Sequence, residues 1–266
     1  MKTKRLCLLA LAGLCAHALT AAEPIKLFNG RDLDGWEVFT VETKHENPGV
    51  FTVERGMLKV AGGKGAVAYF GGLITKREYS NYKLTFAYKW GGPTYGEHKG
   101  RARDSGVLLH CIGPVEPGPW MTSCEFQIIE GGTGDLILIN AVQRYKQNIP
   151  PVTVKLAAEG RQDGNQFVFQ AGAQKLEFVD KGRLNWSGRD PQWKNQTGFR
   201  GRQDVESPFG EWTKCEIVTR GDTLAYSVNG RLVNQASGLS VTRGRIFLQT
   251  EGAEVFYRDI ELTPLD

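Results

Sequence analysis

The chain has 266 residues, 41% of them hydrophobic, with 33 glycines and no low-complexity tract. This composition excludes collagen-like and disordered classes and points to a turn-rich globular protein. The formal charge is +4, of which Lys2, Lys4 and Arg5 supply three; the remainder carries about +1, so charge gives no reason to expect a nucleic-acid partner.

The first segment, "MKTKRLCLLALAGLCAHALTAAEPIKLF", joins a basic start to an apolar stretch from Leu6 to about Leu19 and then to small residues at Ala21 and Ala22. That order predicts a secretory signal peptide over residues 1–22 and a secreted or periplasmic mature protein. No later run of about eighteen apolar residues exists, so no transmembrane segment is expected once the leader is removed. Of the five cysteines, Cys111, Cys124 and Cys215 lie beyond the leader, an odd set that allows at most one intramolecular disulfide. The absence of a CxxC pair argues against a structural zinc site.

Period-two segments follow in order. "GVFTVERGMLKV" reads as a hairpin with a glycine turn, and "NYKLTFAYKW" sets Tyr82, Leu84, Phe86, Tyr88 and Trp90 against Lys83, Thr85, Ala87 and Lys89. Further strands are expected at "DSGVLLHCI", "SCEFQIIE", "PVTVKLAA", "NQFVFQ", "QKLEFV", "WTKCEIVTR", "DTLAYSVNGRLVNQA" with its Asn-Gly turn, "GRIFLQT" and "EVFYRDIEL". No stretch of about twelve residues shows helical periodicity. Many short strands between frequent turns predict an all-β fold, two antiparallel sheets packed face to face as a β-sandwich or jelly roll, with residues 23–266 forming one domain. The long irregular stretch from Lys181 to Gly210 holds Trp186, Trp193, Phe199 and Phe209, a composition that favours a packed functional loop over a linker.

Alternation along "RDSGVLLHC" places Asp104, Gly106, Leu108 and His110 on one side and Ser105, Val107, Leu109 and Cys111 on the other. In the next strand Glu125 and Gln127 oppose Cys124 and Phe126. If these strands are neighbours, Asp104, His110, Glu125 and Gln127 meet on one face, while Cys111 and Cys124 share the buried one, either bridged or as two small core residues. A polar sheet face is often simply wet. Two acids, an amide and an imidazole are also what proton transfer or metal binding requires. No GxSxG, HExxH, GxGxxG or Walker loop is present, which leaves serine and nucleotide chemistry without support.

The segments "LFNGRDLDGW", "GLITKREYSNYKLTFAYKW", "RDSGVLLH", "EFQIIEGGTGD", "GEWTKCEIVTRGDTLAYSVNGRLVNQA" and "GRIFLQTEGAEVFYRDIEL" together resemble the 3-keto-disaccharide hydrolase domain family, secreted bacterial jelly rolls of the concanavalin-like or laminarinase-like kind. Two positions depart from the family pattern: its Asn-Ser-Gly reads Asp104-Ser105-Gly106 here, and its arginine at the end of that strand is His110. The resemblance implies a carbohydrate substrate and cleavage of glycosidic bonds in 3-keto-glycosides. A ketone at C3 acidifies the C2 proton, so a base can remove it, the C1 substituent leaves by elimination, and water can add back. Glu125, His110 and Glu130 are the candidate acids and bases. Arg101, Arg103 or a divalent metal would steady the enolate, and no cofactor beyond such a metal is called for. Gln127, Asp104 and His98 are candidate substrate contacts, with Trp120, Trp186 and Trp193 as candidate stacking surfaces on loops. Gln249 and Glu251, on one face of a late strand, would extend the same groove or meet solvent. Displacement by two carboxylates about 5 to 10 Å apart is the chemical rival, although Glu125 and Glu130 face opposite ways in an unbroken strand. A non-catalytic, lectin-like carbohydrate-binding module is the rival from another class; a shallow groove dominated by loop tryptophans would mark it.

Overall fold

The computed structural model describes residues 22–265, so the expected leader lies almost wholly outside the described residues. In chain order the strands are β1 (Ile25–Lys26), β2 (Trp36–Thr40), β3 (Phe51–Glu54), β4 (Met57–Val60), β5 (Gly63–Lys64), β6 (Val67–Ala68), β7 (Phe70–Thr75), β8 (Tyr82–Thr94), β9 (Asp104–Ile112), β10 (Thr122–Ile129) and β11 (Leu136–Ile139). They continue as β12 (Lys155–Asp163), β13 (Gln166–Phe169), β14 (Lys175–Val179), β15 (Lys181–Asn185), β16 (Thr213–Arg220), β17 (Thr223–Val228), β18 (Arg231–Ala236), β19 (Arg245–Glu251) and β20 (Ala253–Pro264). One short helix, α1 (Ala141–Arg144), is capped by the Asn140 side chain, which accepts from the Gln143 N–H. No helix among the described residues is long and apolar enough to cross a membrane.

Two large sheets pack face to face. One runs β18-β17-β16-β8-β20-β4-β3, with β1 on β20; the other runs β13-β12-β14-β15-β11-β10-β9-β19-β7-β2. The pairings are antiparallel except for β13 with β15, which is parallel. The alternation read in β8 holds: Tyr82, Leu84, Phe86, Tyr88 and Trp90 are all buried in the core between the sheets. From the facing sheet come Val107, Leu109, Cys124, Phe126 and Ile128. Phe126 meets Phe86 and Tyr226 edge to face, at 6.1 and 5.0 Å between ring centroids. Such aromatic pairs add about 0.5 to 1.5 kcal/mol each beyond the area they bury.

The register between β9 and β10 breaks once. Cys124 pairs with Leu109, but Thr122 pairs with Ile112, so Ser123 stands opposite both His110 and Cys111. His110 takes φ +52° at this bulge, and the side chains beyond it change sides. Cys124 therefore lies in the inter-sheet core, whereas Cys111 joins a smaller apolar cluster on the outer face of the sheet with Leu108, Trp120 and Phe247. The two thiols expected on one face are on opposite faces. Cys111, Cys124 and Cys215 are all free and buried, and burial pushes the Cys124 thiol up to about 12, which keeps it unreactive.

Seven strands were not anticipated: β1, β2, β5, β6, β7, β11 and β15; the last two matter for the site. "LILI" forms β11, and the first residues of the expected long loop, Lys181–Asn185, form β15 beside it. These two strands bring an arginine to the site.

Candidate active site

Because β9, β10, β11, β15 and β19 are neighbours in register, their outward residues form rows across the sheet. Glu125 lies beside Leu108 on one side and Ile137 on the other, and Ile137 lies beside Arg183. In the next row Gln127 lies beside Gly106. Phe247 pairs with Leu108; counting on along this ladder places Gln249 at Gly106 and Glu251 at Asp104. The outer face thus gathers three carboxylates, Asp104, Glu125 and Glu251, two carboxamides, Gln127 and Gln249, and the guanidinium of Arg183.

Glu125, Gln127 and Gln249 are buried, while Asp104 and Glu251 stay partly exposed at the surface of the floor. Gln127 Nε2 donates to Asp104 Oδ1 at 2.5 Å. The Gln249 and Glu125 side chains crowd together beside Gly106, and Gln249 Oε1 is buried without a protein partner. Gly106 makes this crowding possible: a Cβ there would overlap Gln249 Oε1 and come within 2.6 Å of Glu125 Oε1. Burial, together with the neighbouring Asp104 charge, raises Glu125 to about 8. Burial raises Asp104 to about 7 and drives Glu251 well above the usual carboxylate range, helped by Asp104 and Glu125. Like charges forced together out of water share protons, so this floor holds both a protonated and an ionised carboxyl near neutrality.

Asp135, fully buried, orients the positive side of the site. It accepts from Arg183 Nε at 3.0 Å and Nη2 at 2.6 Å, from Arg189 Nη1, and from the Trp186 N–H at 2.9 Å. Arg183 and Arg189 both act electrostatically on Asp104, and Arg183 on Glu125 and Glu251 as well.

Of the residues singled out in the sequence, the structure brings Asp104, Glu125 and Gln127 together, with Gln249 and Glu251 extending the same face. His98 stands at the rim: its ring packs edge-on against Phe70 at 5.4 Å, and Phe70 pairs across the ladder with Glu251. Burial and Arg101 lower the His98 imidazole below its usual value. The other residues do not reach the floor. His110 is turned by the bulge toward the sandwich interior, where it packs edge-on against the core residue Tyr82 at 5.6 Å, its Nδ1 at 3.2 Å from Val241 O. Glu130 is held in a buried ion pair, Arg103 Nη1 donating to its Oε1 at 2.6 Å, and Arg103 also reaches Gly92 O; both are committed to anchoring the end of β10. Arg101 is exposed on the preceding loop. Trp120 packs edge-on against Phe247, and Trp186 is 1% exposed, so neither offers a face to a sugar. Trp193 is partly exposed, but its ring is already covered by the Arg189 guanidinium at 4.4 Å and its Nε1 donates to Glu130 O.

A divalent metal fits poorly here. Among the described residues no three His, Cys, Asp or Glu side chains converge as ligands, and Arg183 already supplies positive charge at the floor. Arg183 itself was not found from the sequence. Its signal was the alternation in "KGRLNW", which opposes Arg183 to Leu184.

The two-sheet sandwich, with its polar groups gathered on the outer face of one sheet, is a concanavalin-like jelly roll. The chain matches the 3-keto-alpha-glucoside-1,2-lyase-like domain family over residues 23–263 and belongs to that carbohydrate-acting family. Among solved structures it is similar to a protein of Parabacteroides distasonis ATCC 8503 assigned provisionally as a glycosyl hydrolase. The match has 18% identity and a TM-score of 0.53, and covers 91% of this chain and 94% of that one; the likeness is one of fold. A second such protein of the same organism matches at 17% identity and TM-score 0.49, over 91% of this chain and 100% of that one. A β-glucanase of Bacillus licheniformis matches at 8% identity and TM-score 0.47, over 94% and 100%. No curated protein matched the sequence.

Proposed function

We propose that this protein cleaves the glycosidic bond of a 3-keto-glucoside by eliminating the C1 substituent across C1 and C2. The observation that carries the proposal is the sharing of one sheet face by Asp104, Glu125 and Glu251 beside Arg183. Asp104, ionised at the lower pH of the pair and steadied by Gln127, takes the C2 proton. The electrons move toward the C3 carbonyl, and Arg183 faces the resulting enolate. Glu125, which keeps its proton to higher pH, donates it to the departing glycosidic oxygen. Water then adds at C1 as C2 is reprotonated, giving net hydrolysis. The open acceptor on Gln249 is suited to a sugar hydroxyl, since a buried amide oxygen without a partner costs free energy that a bound hydroxyl recovers.

The binding-module alternative has less support, because Trp120 and Trp186 are buried and the loop tryptophans form no stacking platform. Export, expected from the leader, belongs to the same proposal; N-terminal sequencing of the mature protein tests it. The function itself is tested by incubating the purified protein with a methyl or disaccharide 3-keto-α-glucoside. Release of the aglycone by the wild type, lost in both Asp104→Asn and Glu125→Gln with the fold intact, supports the reading. Saturable sugar binding without any release by the wild type contradicts it.

A further inference from the structure

Tyr145, directly after α1, takes no part in the proton transfers described above. Its ring is partly exposed, but its hydroxyl oxygen is buried and finds no hydrogen-bond partner among the described residues. A buried hydroxyl left unpaired costs free energy that a ligand oxygen recovers. The side chain is nonetheless firmly seated. The Tyr145 N–H donates to Ala141 O at 2.9 Å, and the Arg144 guanidinium stands over the ring at 5.4 Å. From the loop between β9 and β10, Gly118 makes room for the ring: a Cβ there would come within 2.4 Å of its carbons.

The seat of the ring decides which side of the floor the hydroxyl serves. Tyr145 packs against the outer apolar cluster that contains Leu108 and Phe247, and Ile137 packs against the same cluster. Leu108 and Ile137 are the two residues that flank Glu125 in its row. The ring therefore borders the row of the acid. The charged groups that act on the hydroxyl are Arg144, Glu251 and Glu125; Asp104, the base, and Arg183, which faces the enolate, are not among them. Burial raises the phenol above its ordinary value, so it keeps its proton while Asp104 and Glu125 titrate and presents a neutral O–H donor. The reacting atom on this side is the oxygen that leaves C1.

We propose that Tyr145 is a further catalytic residue, its hydroxyl donating a hydrogen bond to the glycosidic oxygen as that oxygen leaves C1. The C1–O bond breaks, its electron pair stays on the oxygen, and Glu125 supplies the proton. Tyr145 keeps its own proton and steadies the charge that develops before the transfer is complete. The inference rests on the lyase reading above, and its test separates the two. Tyr145→Phe is expected to hold Tm within about a degree of wild type or to raise it, because the lost hydroxyl leaves no protein group unpaired. The same variant should lower kcat for methyl 3-keto-α-glucoside by about a hundredfold, with KM within about twofold of wild type. For 4-nitrophenyl 3-keto-α-glucoside, whose leaving oxygen spreads its charge into the ring, the loss should be under about tenfold. Equal losses on both substrates, or none, would overturn the inference, while cleavage by the wild type still upholds the lyase reading. The wild type should also exchange the C2 proton of 1,5-anhydro-3-keto-glucitol, which has no glycosidic oxygen, for deuterium. Exchange slowed in Tyr145→Phe as much as cleavage of the methyl glycoside would move the hydroxyl to the enolate and overturn its placement at C1. A wild type that neither exchanges nor cleaves would defeat the lyase reading and this inference together.

Discussion

Glu125 and Gly106 occupy adjacent strands, and the carboxylate of the first lies in the space a side chain on the second would fill: a Cβ at position 106 would sit 2.6 Å from Glu125 Oε1. The glycine at this position sets where the acid stands. Gly106→Ala is expected to displace both Glu125 and Gln249, costing about 1 to 3 kcal/mol of stability through overpacking. It should also cut kcat by about a hundredfold or more through misplacement of the reacting group. Urea unfolding and turnover of a 3-keto-glucoside, measured on the same preparation, check both.

The coupled carboxyls imply a bell-shaped pH dependence. Activity needs Asp104 ionised and Glu125 protonated, and the pair titrates near 7 and 8, so kcat/KM should peak between those values and fall on either side. The same coupling acts on stability. The folded Glu125 binds its proton more tightly than the unfolded residue does, so its contribution is fully present below about pH 4.5 and is lost as pH rises through about 8. Glu125→Gln should therefore abolish turnover and raise Tm by several degrees at pH 8 to 9, with little change near pH 4.5. A thermal melt series across pH checks the sign.

Asp135 holds Arg183 and Arg189 from beneath the floor. Replacing it with asparagine leaves two guanidiniums with a neutral partner, one of them almost wholly buried. A loss of about 3 to 5 kcal/mol is expected from breaking a buried pair, together with a fall in kcat as Arg183 loses its aim. Arg183→Lys, which keeps the charge but not the two-pronged contact, should retain more stability than Asp135→Asn while losing about 10² to 10³ in kcat. Chemical denaturation alongside steady-state kinetics separates the two effects.

His110 makes the fold sensitive to acid. Burial depresses its folded value to about 4 from an ordinary 6.5, so the unfolded chain binds the proton first. The stability tied to neutral His110 is complete above about pH 6.5 and is lost as pH falls toward 4, on the order of 3 kcal/mol in all. Asparagine tolerates the left-handed backbone at this bulge and does not titrate. Urea unfolding from pH 7 to 4 should show His110→Asn losing less stability than the wild type, with no selective loss of turnover at pH 7.5.

Much of this site was legible from alternation alone. Glu125, Gln127 and Asp104 come from unbroken stretches of β10 and β9, where a period of two fixes the face, and Gln249 and Glu251 follow by the same rule. His110 and Cys111 were misread because the bulge is a property of the pair of strands: one extra residue on β9 against Ser123 leaves no mark in either strand by itself. Glu130 and Arg103 form an ion pair across 27 positions of sequence, and Arg183 reaches Asp135 across 48. Contacts of that range depend on which strands become neighbours. β11 and β15, too short and too apolar or too charged to announce themselves, decide that here. Trp120 and Trp186 turned inward because large rings gain more from burial than from display, whereas Trp193 stays partly exposed beneath the Arg189 guanidinium.

The most direct test of the central claim is cleavage of a 3-keto-α-glucoside in D₂O, followed by proton NMR at C2 of the sugar, with the free keto-sugar in the same buffer as the exchange control. Elimination through Asp104 removes that proton, so the sugar product should lack protium at C2 for every aglycone released, well ahead of the control. Cleavage that keeps the C2 proton would show direct displacement at C1 and contradict the assignment of Asp104 as base and Glu125 as acid.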